Sequence, residues 1–461
     1  MDKKFCLPYF ALFCASFVLC AAVLSSCGKD AGSGEENPSI PQNAAEETAE
    51  TAETAQEPKL QPDIPDGLSF DGYKFRIFYR SADDSGEYWA VQDIYSEAEN
   101  GDQINDAVYR RNKYIEEKYN FELATIPSSS TSAQAAGIKK VVSAGSDEYD
   151  AIFTRAGYVP GIITANCAVD LNKIPYLDFE KPWWDKSIMG QISIAHKSYA
   201  AYGDILATNY NALRVIMFNK ILISEYALEN PYDMVRKNTW TLDNFFNMFR
   251  SVSKDMNGNG TMDEKDLYGF LIQKGAPMAF YYSAGESITE KNESDLPTLN
   301  VGGQRSLQVM EKISEIWSAK GAVMFDSDYS HLSVGFSAQI LQQTFEDNRG
   351  LFYGEVLDLV EYMRSADVAL GIIPMPKLDE NQQNYISYGD GFCLNLILVP
   401  ATNSNLERTG AILEAMAAES KYTLLPAYYD KTLKSKYVRD NESEEMLDII
   451  FKNKAISIGN L

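Results

Sequence analysis

The chain has 461 residues, of which 45% are hydrophobic and 12% aromatic, so it is long enough for two globular units with real cores. Its 65 acidic and 41 basic residues give a formal net charge of −24, which argues against nucleic acid or a polyanion as a partner, because both need a basic surface. Only two histidines are present, and neither an HExxH nor a GxSxG motif occurs, so the common zinc-hydrolase and serine-hydrolase signatures are absent.

The N-terminus has the pattern of a secretory signal. The run from Phe5 to Ser26 carries no charged side chain, follows two lysines, and ends in small residues before Cys27. This resembles the signal of bacterial lipoproteins, which implies that residues 1–26 are removed and that Cys27 receives the acyl chains, palmitate among them, that anchor the protein at the extracellular face of the cell membrane. The alternative is an uncleaved transmembrane helix, since a run of this length can span a bilayer. Outside the cell there is no ATP pool, so we expect the protein to bind a solute, cleave a polymer or build the envelope.

Residues 27–65 are predicted to be the lipidated cysteine followed by a disordered acidic tether. The stretch is rich in Glu, Ala, Thr and Pro, repeats an ETA unit, and has almost no large apolar residues. Such a composition buries too little surface to offset the entropy of ordering.

Two cysteines remain beyond the signal and the anchor. Cys167 and Cys393 allow either one disulfide or two buried free thiols, and the sequence leaves both alternatives open. No zinc knuckle or CxxC pair is present in the sequence.

Folded structure is predicted to begin near Phe70 with alternating strands and helices. The pattern predicts strands at 73–79, 121–126 and 149–153, and helices at 103–119 and 133–144. Strands that alternate with helices at this spacing indicate βαβ units and a mainly parallel sheet.

A second α/β series follows aromatic-rich loops and a predicted hairpin at 192–205. Thr241 is the predicted N-cap of a helix over 242–252, with Asp243 in its first turn. The other predicted elements are strands at 213–219, 350–353, 369–373 and 391–399 and helices at 304–318, 332–341 and 405–418. The fold class is therefore predicted to be α/β with two lobes.

One loop has the spacing of a calcium site. Oxygen-bearing side chains stand at positions one, three, five, nine and twelve, with glycine at position six, which suits a hard cation that takes six to eight oxygen ligands. The predicted ligands of a structural Ca2+ ion are Asp255, Asn257, Asn259, Thr261 through its carbonyl, Asp263 and Asp266. A polar Asn-Gly turn without an ion is the alternative.

The order of several short motifs resembles that of the extracellular solute-binding lipoproteins (family 1) of sugar-type ABC transporters, over nearly the whole mature chain. The motifs are Ile104-Asn105-Asp106-Ala107-Val108-Tyr109, Tyr149-Asp150-Ala151-Ile152, Met217-Phe218-Asn219, Asn238-Thr239-Trp240-Thr241-Leu242, the Asp255 loop with Tyr268-Gly269-Phe270, and Leu370-Gly371-Ile372-Ile373-Pro374-Met375-Pro376-Lys377. The resemblance implies a two-lobed periplasmic-binding-protein-like fold of type II, like maltose-binding protein, with a hinge between the lobes. It implies a first lobe over 66–208 and 379–420 and a second over 209–378 and 421–461.

The function implied by the resemblance is capture of an oligosaccharide-like solute between the lobes and its delivery to ABC permease subunits, without catalysis. In this fold the ligand-binding residues follow strand ends at the cleft, where aromatic rings and polar side chains suit a sugar. The candidates are Arg155, Tyr158, Asn209, Tyr210, Asn211, Phe280, Tyr282, Glu286, Tyr353, Glu355 and Asp390. Arg155 follows a buried strand, where a cation is costly without a partner. Trp183, Trp184 and Asp185 are assigned either to the cleft or to packing.

Two other functions remain open at this stage. A secreted glycoside hydrolase would use a pair of carboxylates, for which Glu286, Glu355 and Asp390 are available. A surface adhesin or envelope scaffold would use the calcium loop for rigidity alone.

Overall fold

The computed structural model describes residues 59–81, 90–333, 338–363, 366–431 and 441–460. The signal segment, Cys27 and all but the last seven residues of the expected tether lie outside these residues. Within the described ranges, no helix combines the length and the apolar character needed to cross a membrane.

The first sheet has four strands in the order β12-β3-β1-β2. Its strands are β1 (Tyr73–Tyr79), β2 (Phe121–Pro127), β3 (Ala151–Arg155) and β12 (Asn395–Leu398). The three N-terminal strands are parallel, as the βαβ pattern predicts, whereas β12 runs antiparallel to β3 and places Asn395 opposite Arg155. The carboxyl ends of β1, β2 and β3 therefore share one edge of the sheet with the start of β12.

Helices cover the first sheet and bury an apolar core. The helices are α1 (Gln103–Tyr119), α2 (Thr131–Ser143), α3 (Val159–Ile163), α4 (Lys186–Ile192) and α12 (Leu406–Tyr422). Trp183 and Trp184 belong to this core, and their indole nitrogens donate to the buried Glu414 carboxylate at 2.9 and 2.8 Å. Both tryptophans therefore pack, and Asp185 caps α4 by accepting from the Ile188 N–H at 3.0 Å.

The second sheet has five strands in the order β10-β4-β9-β5-β8. They are β4 (Arg214–Asn219), β5 (Tyr268–Ile272), β8 (Val323–Phe325), β9 (Gly350–Val356) and β10 (Leu370–Pro374), and only β4 runs against its neighbours. The helices packed around it are α5 (Lys220–Glu225), α6 (Pro231–Arg236), α7 (Leu242–Arg250), α8 (Pro277–Ser283), α9 (Gln304–Trp317), α10 (Gln339–Glu346), α11 (Leu359–Tyr362) and α14 (Asn441–Lys452).

The remaining elements join or bridge the two sheets. They are the hairpin of β6 (Thr289–Lys291) and β7 (Pro297–Leu299), the short pair β11 (Ser387–Tyr388) and β13 (Lys454–Ala455), and α13 (Leu424–Lys431). The chain passes from one sheet to the other between β3 and β4, between β10 and β12, and between α12 and α14. The predicted lobe boundaries at 208/209 and 378/379 fall in the first two of these intervals, whereas the boundary at 420/421 falls within the last turn of α12; all three stay predictions at residue level.

Several predicted elements differ from the observed ones. The hairpin predicted at 192–205 is wrong: α4 ends at Ile192, and a tight turn at Ala195 and His196, both with positive φ, leaves only the isolated bridge between Ile194 and Lys197. The helix predicted at 332–341 begins at Gln339 and continues to Glu346, and residues 334–337 lie outside the described part. The predicted cap is confirmed, because Thr241 Oγ1 accepts from the Asn244 N–H and Asp243 lies in the first turn of α7.

Candidate functional site

Arg214 links two carboxylates where the chain crosses between the sheets. It is the first residue of β4, and its neighbour in the register, β9, carries Glu355. The Arg214 guanidinium donates to Glu355 Oε1 at 2.7 Å and to Asp390 Oδ2 at 2.7 and 3.2 Å. Arg214 and Glu355 are 7% and 5% exposed, so this is a buried network rather than a surface ion pair.

The pKa values of the two carboxylates are shifted in opposite directions, although Arg214 acts to lower both. Burial raises the pKa of Glu355, and Arg214 opposes that shift only in part. Burial also acts to raise the pKa of Asp390, but the charge and hydrogen bonds of Arg214 and the Phe392 N–H outweigh it, so this pKa is lowered. Burial acts to lower the pKa of Arg214, which Glu355 and Asp390 more than offset, so its pKa is raised.

Arg155 and Phe392 form the part of the site that faces solvent. Arg155 is the last residue of β3 and is half-buried, and its guanidinium lies 3.6 Å from the centre of the Phe392 ring. Tyr158 follows in the next turn, with its ring centre 5.5 Å from the same guanidinium. Phe392 is 45% exposed, which is unusual for a large apolar side chain beside a buried ion network. We call Arg155, Arg214, Glu355, Asp390 and Phe392 the edge cluster.

Polar atoms without partners collect near the edge cluster. Glu355 Oε2, Arg155 Nε, Asn395 Oδ1 and Ser128 Oγ are buried and make no hydrogen bond to any described residue. Arg155, Asn395 and Ser128 lie at the carboxyl edge of the first sheet, and Glu355 lies on β9 of the second sheet. Buried polar atoms are normally paired, so these orphans indicate a binding surface for a polar ligand.

Asn209 and Asn211 line a small cavity of about 20 Å³ beside the cluster, together with Cys393 and Asn395. Asn209 exchanges two hydrogen bonds with the Asn395 backbone, at 2.8 and 3.0 Å. Asn211 donates to Asp358 at 2.9 Å and accepts from the Tyr428 hydroxyl at 2.6 Å. Both asparagines thus have structural partners, and they stay predictions as ligand-binding residues.

Tyr282 and Glu286 lie in a different cavity. This cavity of about 360 Å³ is lined by α4, the end of α8, the β6–β7 hairpin and the C-terminal segment. Tyr282 stacks on Tyr388 with ring centres 4.5 Å apart, and Glu286 pairs with Arg305 at 3.0 Å. The two residues share no cavity with the edge cluster.

Tyr210 lines a third cavity, also of about 360 Å³, with Trp184, Asp185, Asp204 and Lys454 among its neighbours. Its ring lies 5.7 Å from that of Tyr428 and 5.2 Å from the Lys454 ammonium. The structure therefore does not bring Tyr210 to the edge cluster.

Phe280 and Tyr353 are corrected to core residues. Both are 0% exposed. Phe280 packs among Phe245, Phe270 and Trp317 on the face of the second sheet, and Tyr353 packs against Phe345 within β9. The sequence position of a residue near a strand end does not show which side of the sheet its side chain occupies. Here both side chains lie in the core.

Sequence reasoning missed Arg214 and Phe392. Arg214 opens an otherwise apolar buried strand, which is the same signal that identified Arg155, because an arginine at such a position requires partners. Phe392 carries no signal of its own, since an aromatic residue in a turn is not distinguishable from one in a core.

The calcium-like loop is folded by its own hydrogen bonds. Asp255 accepts from the Gly258 and Gly260 N–H groups at 2.7 and 2.8 Å, and both glycines have positive φ. Asp266 is buried and accepts from Met256 and Asp263. The donor atoms are hard oxygens, as Ca2+ requires. Among the described residues, however, no group of three or more His, Cys, Asp or Glu side chains is placed to hold a metal ion.

Cys167 and Cys393 are buried free thiols, which settles the alternative left open by the sequence. Burial raises the pKa of both. They are therefore poorly reactive small apolar residues.

Comparisons with known proteins reveal similarity at the level of structure. No protein-family model matches the chain, and no curated protein matches it in sequence. A cyclo/maltodextrin-binding protein complexed with maltotetraose has a TM-score of 0.55 at 13% identity, over 85% of this chain and 88% of that one. A family 1 extracellular solute-binding protein from Bifidobacterium longum subsp. infantis has a TM-score of 0.52 at 15% identity, over 84% and 89%. An extracellular solute-binding protein from Staphylococcus aureus in complex with maltose has a TM-score of 0.52 at 11% identity, over 86% and 87%.

These similarities confirm the predicted two-lobed, periplasmic-binding-protein-like α/β fold. The chain has the fold of the sugar-type extracellular solute-binding proteins.

Proposed function

We propose that the chain is a solute-binding protein that captures a carbohydrate at the edge cluster and releases it unaltered. The observation that carries this proposal is the set of unpartnered polar atoms of Arg155, Asn395 and Glu355, from the carboxyl edge of the first sheet and from β9 of the second, beside an exposed ring. Proteins of the same fold were solved with maltotetraose and with maltose, which supports a sugar as the solute class.

The chemistry of the edge cluster suits a sugar. Glu355 Oε2 and Asn395 Oδ1 would accept hydrogen bonds from hydroxyl groups, and Phe392 would cover the C–H face of a ring. Arg214 already donates to Oδ2 of Asp390 and to Oε1 of Glu355, so it would act by holding these side chains in place.

The proposed cellular role follows from the N-terminal sequence. Acyl chains on Cys27 would hold the protein at the outer face of the membrane, from which it would deliver the solute to ABC permease subunits. The loop from Asp255 to Asp266 would bind Ca2+ as a structural ion that takes no part in solute binding.

The proposal is tested by titrating the purified full-length protein with a panel of oligosaccharides. Thermal shift and calorimetry report binding, and chromatography of the sugars reports cleavage. Saturable stabilisation without product supports the proposal. Released sugar would instead indicate a hydrolase, for which the opposite pKa shifts of Glu355 and Asp390 would matter. No binding by any sugar would point to a scaffold.

Phe392→Ala provides the matching variant. Because Phe392 is 45% exposed, its loss leaves the core intact, and we expect about tenfold weaker binding from the lost ring contact. Leu307→Ala is the control, since Leu307 is 55% exposed on α9. Equal affinity in the two variants would place the solute elsewhere.

A further inference from the structure

Arg155 is a half-buried arginine whose side chain has no polar partner among the described residues. Its Nε is buried and makes no hydrogen bond to a described residue, and in the same part of the chain no carboxylate forms an ion pair with its guanidinium. Burial lowers its pKa, yet an arginine stays protonated in any protein. A permanent charge is therefore held near the surface of the edge cluster without an oxygen to receive its N–H groups.

Arg155 differs in this respect from the other buried arginines of the described ranges. Every other buried or half-buried arginine in the described ranges donates to at least one oxygen of the protein. These are Arg76, Arg80, Arg111, Arg214, Arg349 and Arg408. A guanidinium removed from water normally finds such acceptors, so its lack at Arg155 requires an explanation.

Asp390 does not supply the missing hydrogen-bond acceptor for Arg155. Asp390 adds a favourable charge interaction to Arg155, but its Oδ2 receives two N–H groups of Arg214 and its Oδ1 receives the Phe392 N–H at 2.9 Å. The edge cluster thus contains two arginines and two carboxylates, and both carboxylates are bound by the same arginine.

The Nη groups of Arg155 are available to a ligand, whereas its Nε is not. The guanidinium lies over Phe392 at 3.6 Å from the ring centre, a contact that restrains its position, and only Nε is among the buried unpartnered atoms. A fixed planar fork matches two oxygens of one anionic group. Hydroxyls of a neutral sugar can also accept from the fork, but hydrogen bonds to anionic oxygens are shorter and roughly twice as strong.

From this geometry we propose that the solute is an acidic saccharide whose anionic group binds Arg155 in a bidentate manner while its ring covers Phe392. The chemistry is a pair of anionic oxygens on a sugar, as in the carboxylate of a uronic acid or in a sugar phosphate. This inference rests on the proposed function and narrows its ligand class. The formal charge of −24 does not oppose it, because exposed charges beyond about 10 Å are largely screened at physiological salt.

The test compares acidic sugars with neutral ones of the same backbone. The probes are trimers of galacturonate and of mannuronate, the carboxyl-reduced form of each, glucose 6-phosphate beside glucose, and maltotriose, each titrated calorimetrically into the full-length protein. We expect at least one acidic probe to bind about 10 to 100 times more tightly than its neutral counterpart. The carboxylate and phosphate arms distinguish the two sources of the anion.

Variants of Arg155 assign the effect to this side chain. Arg155→Gln should abolish the preference for the acid, so that the acidic probe and its neutral counterpart bind with similar affinity, whereas Arg155→Lys should retain part of the preference, because it keeps the charge and loses the fork. Arg250→Gln is a matched control, since Arg250 also lies over a phenylalanine, Phe246, but is exposed on α7. Thermal unfolding of each variant verifies that it is folded.

The outcomes separate this inference from the function on which it rests. If neutral sugars bind as tightly as acidic ones, or if Arg155→Gln weakens both equally, the acidic ligand is refuted while sugar binding stands. If no sugar of either kind binds, both proposals fail.

Discussion

Arg214 positions two carboxylates of the site through direct ion pairs. Its guanidinium binds Glu355 on β9 of the second sheet and Asp390 on the crossing between β10 and β12, and all three side chains are largely removed from water. A buried ion pair adds little net stability over an apolar replacement of the whole group, but removing one partner leaves the other charge buried and unpaired.

We therefore predict that Arg214→Met destabilises the protein by about 3 to 5 kcal/mol at pH 7. In the native protein the lowered pKa of Asp390 contributes stability that is present above about pH 4 and lost as the pH falls through its folded pKa. Without Arg214 both carboxylates have folded pKa values above their unfolded ones, so the folded state binds more protons and the stability of the variant falls as the pH rises.

Urea unfolding at pH 5 and pH 7 measures this effect. The deficit of Arg214→Met should be smaller at pH 5. Arg236→Met is the control, because Arg236 pairs with Asp233, Glu442 and Glu445 at the surface, where solvent screens the ion pairs, so its loss should destabilise the protein much less. A deficit that is equal at both pH values would mean that the carboxylates do not depend on Arg214.

Residue roles were only partly predictable from the sequence, and the failures share a cause. Arg155 was found because a charge beside a buried strand is costly without a partner, and Glu355 and Asp390 were found as polar residues near the strand ends expected at the cleft. Phe280 and Tyr353 were misassigned because an aromatic side chain satisfies a core as well as a cleft, and only the packing of the neighbouring rings decides between them. Tyr282 and Tyr210 follow strand ends in sequence but line other cavities.

At the scale of secondary-structure elements, the sequence predicted correctly those elements that depend on interactions within a few residues. The parallel strands β1, β2 and β3 and the cap at Thr241 follow from period and from capping chemistry, which act within a few residues. The predicted hairpin at 192–205 failed because the alternation there reflects packing of α4 and the following loop on the first core, a tertiary effect that the pattern does not contain.

The loop from Asp255 to Asp266 yields a prediction at this scale. If it binds Ca2+, the ion should raise the unfolding temperature, since a ligand at 100 times its dissociation constant stabilises by about 2.7 kcal/mol. Asp255→Asn removes one charge while keeping the shape of the side chain, and should abolish most of the shift. Thermal unfolding in Ca2+ and in EGTA measures it.

Asp347→Asn is the control for the calcium experiment, because Asp347 is an exposed carboxylate outside the loop that pairs with Arg349. An unchanged unfolding temperature of the native protein in Ca2+ and EGTA would show that the loop is a polar turn stabilised by its own hydrogen bonds.

At the scale of the whole molecule, a second contact joins the two lobes away from the edge cluster. Lys291, on the β6–β7 hairpin, donates to the carbonyl oxygens of Gly190 and Ser193 at 2.6 and 2.5 Å, and Asp295 accepts from the His196 N–H at 2.9 Å. We call these five residues the clasp. The side chains of α4 belong to the core of the first sheet, whereas Ile288 packs on that of the second, so the clasp spans the lobes.

We predict that Lys291→Met tightens solute binding by about fivefold or more. The clasp is formed while Phe392 is 45% exposed and Arg155 half-buried, that is, in a conformation in which a solute can reach the edge cluster. If binding closes the lobes, the clasp has to rearrange, and its free energy opposes closure by a coupling in the usual range of about 1 to 3 kcal/mol.

Calorimetry with the sugar of the panel that binds most tightly gives the affinity of the variant. Small-angle scattering gives the fraction of closed protein without ligand, which should rise in the variant. Lys312→Met is the control, since Lys312 pairs with Asp243 at 2.6 Å within the second lobe. Weaker binding by Lys291→Met would instead mean that the clasp belongs to the bound conformation.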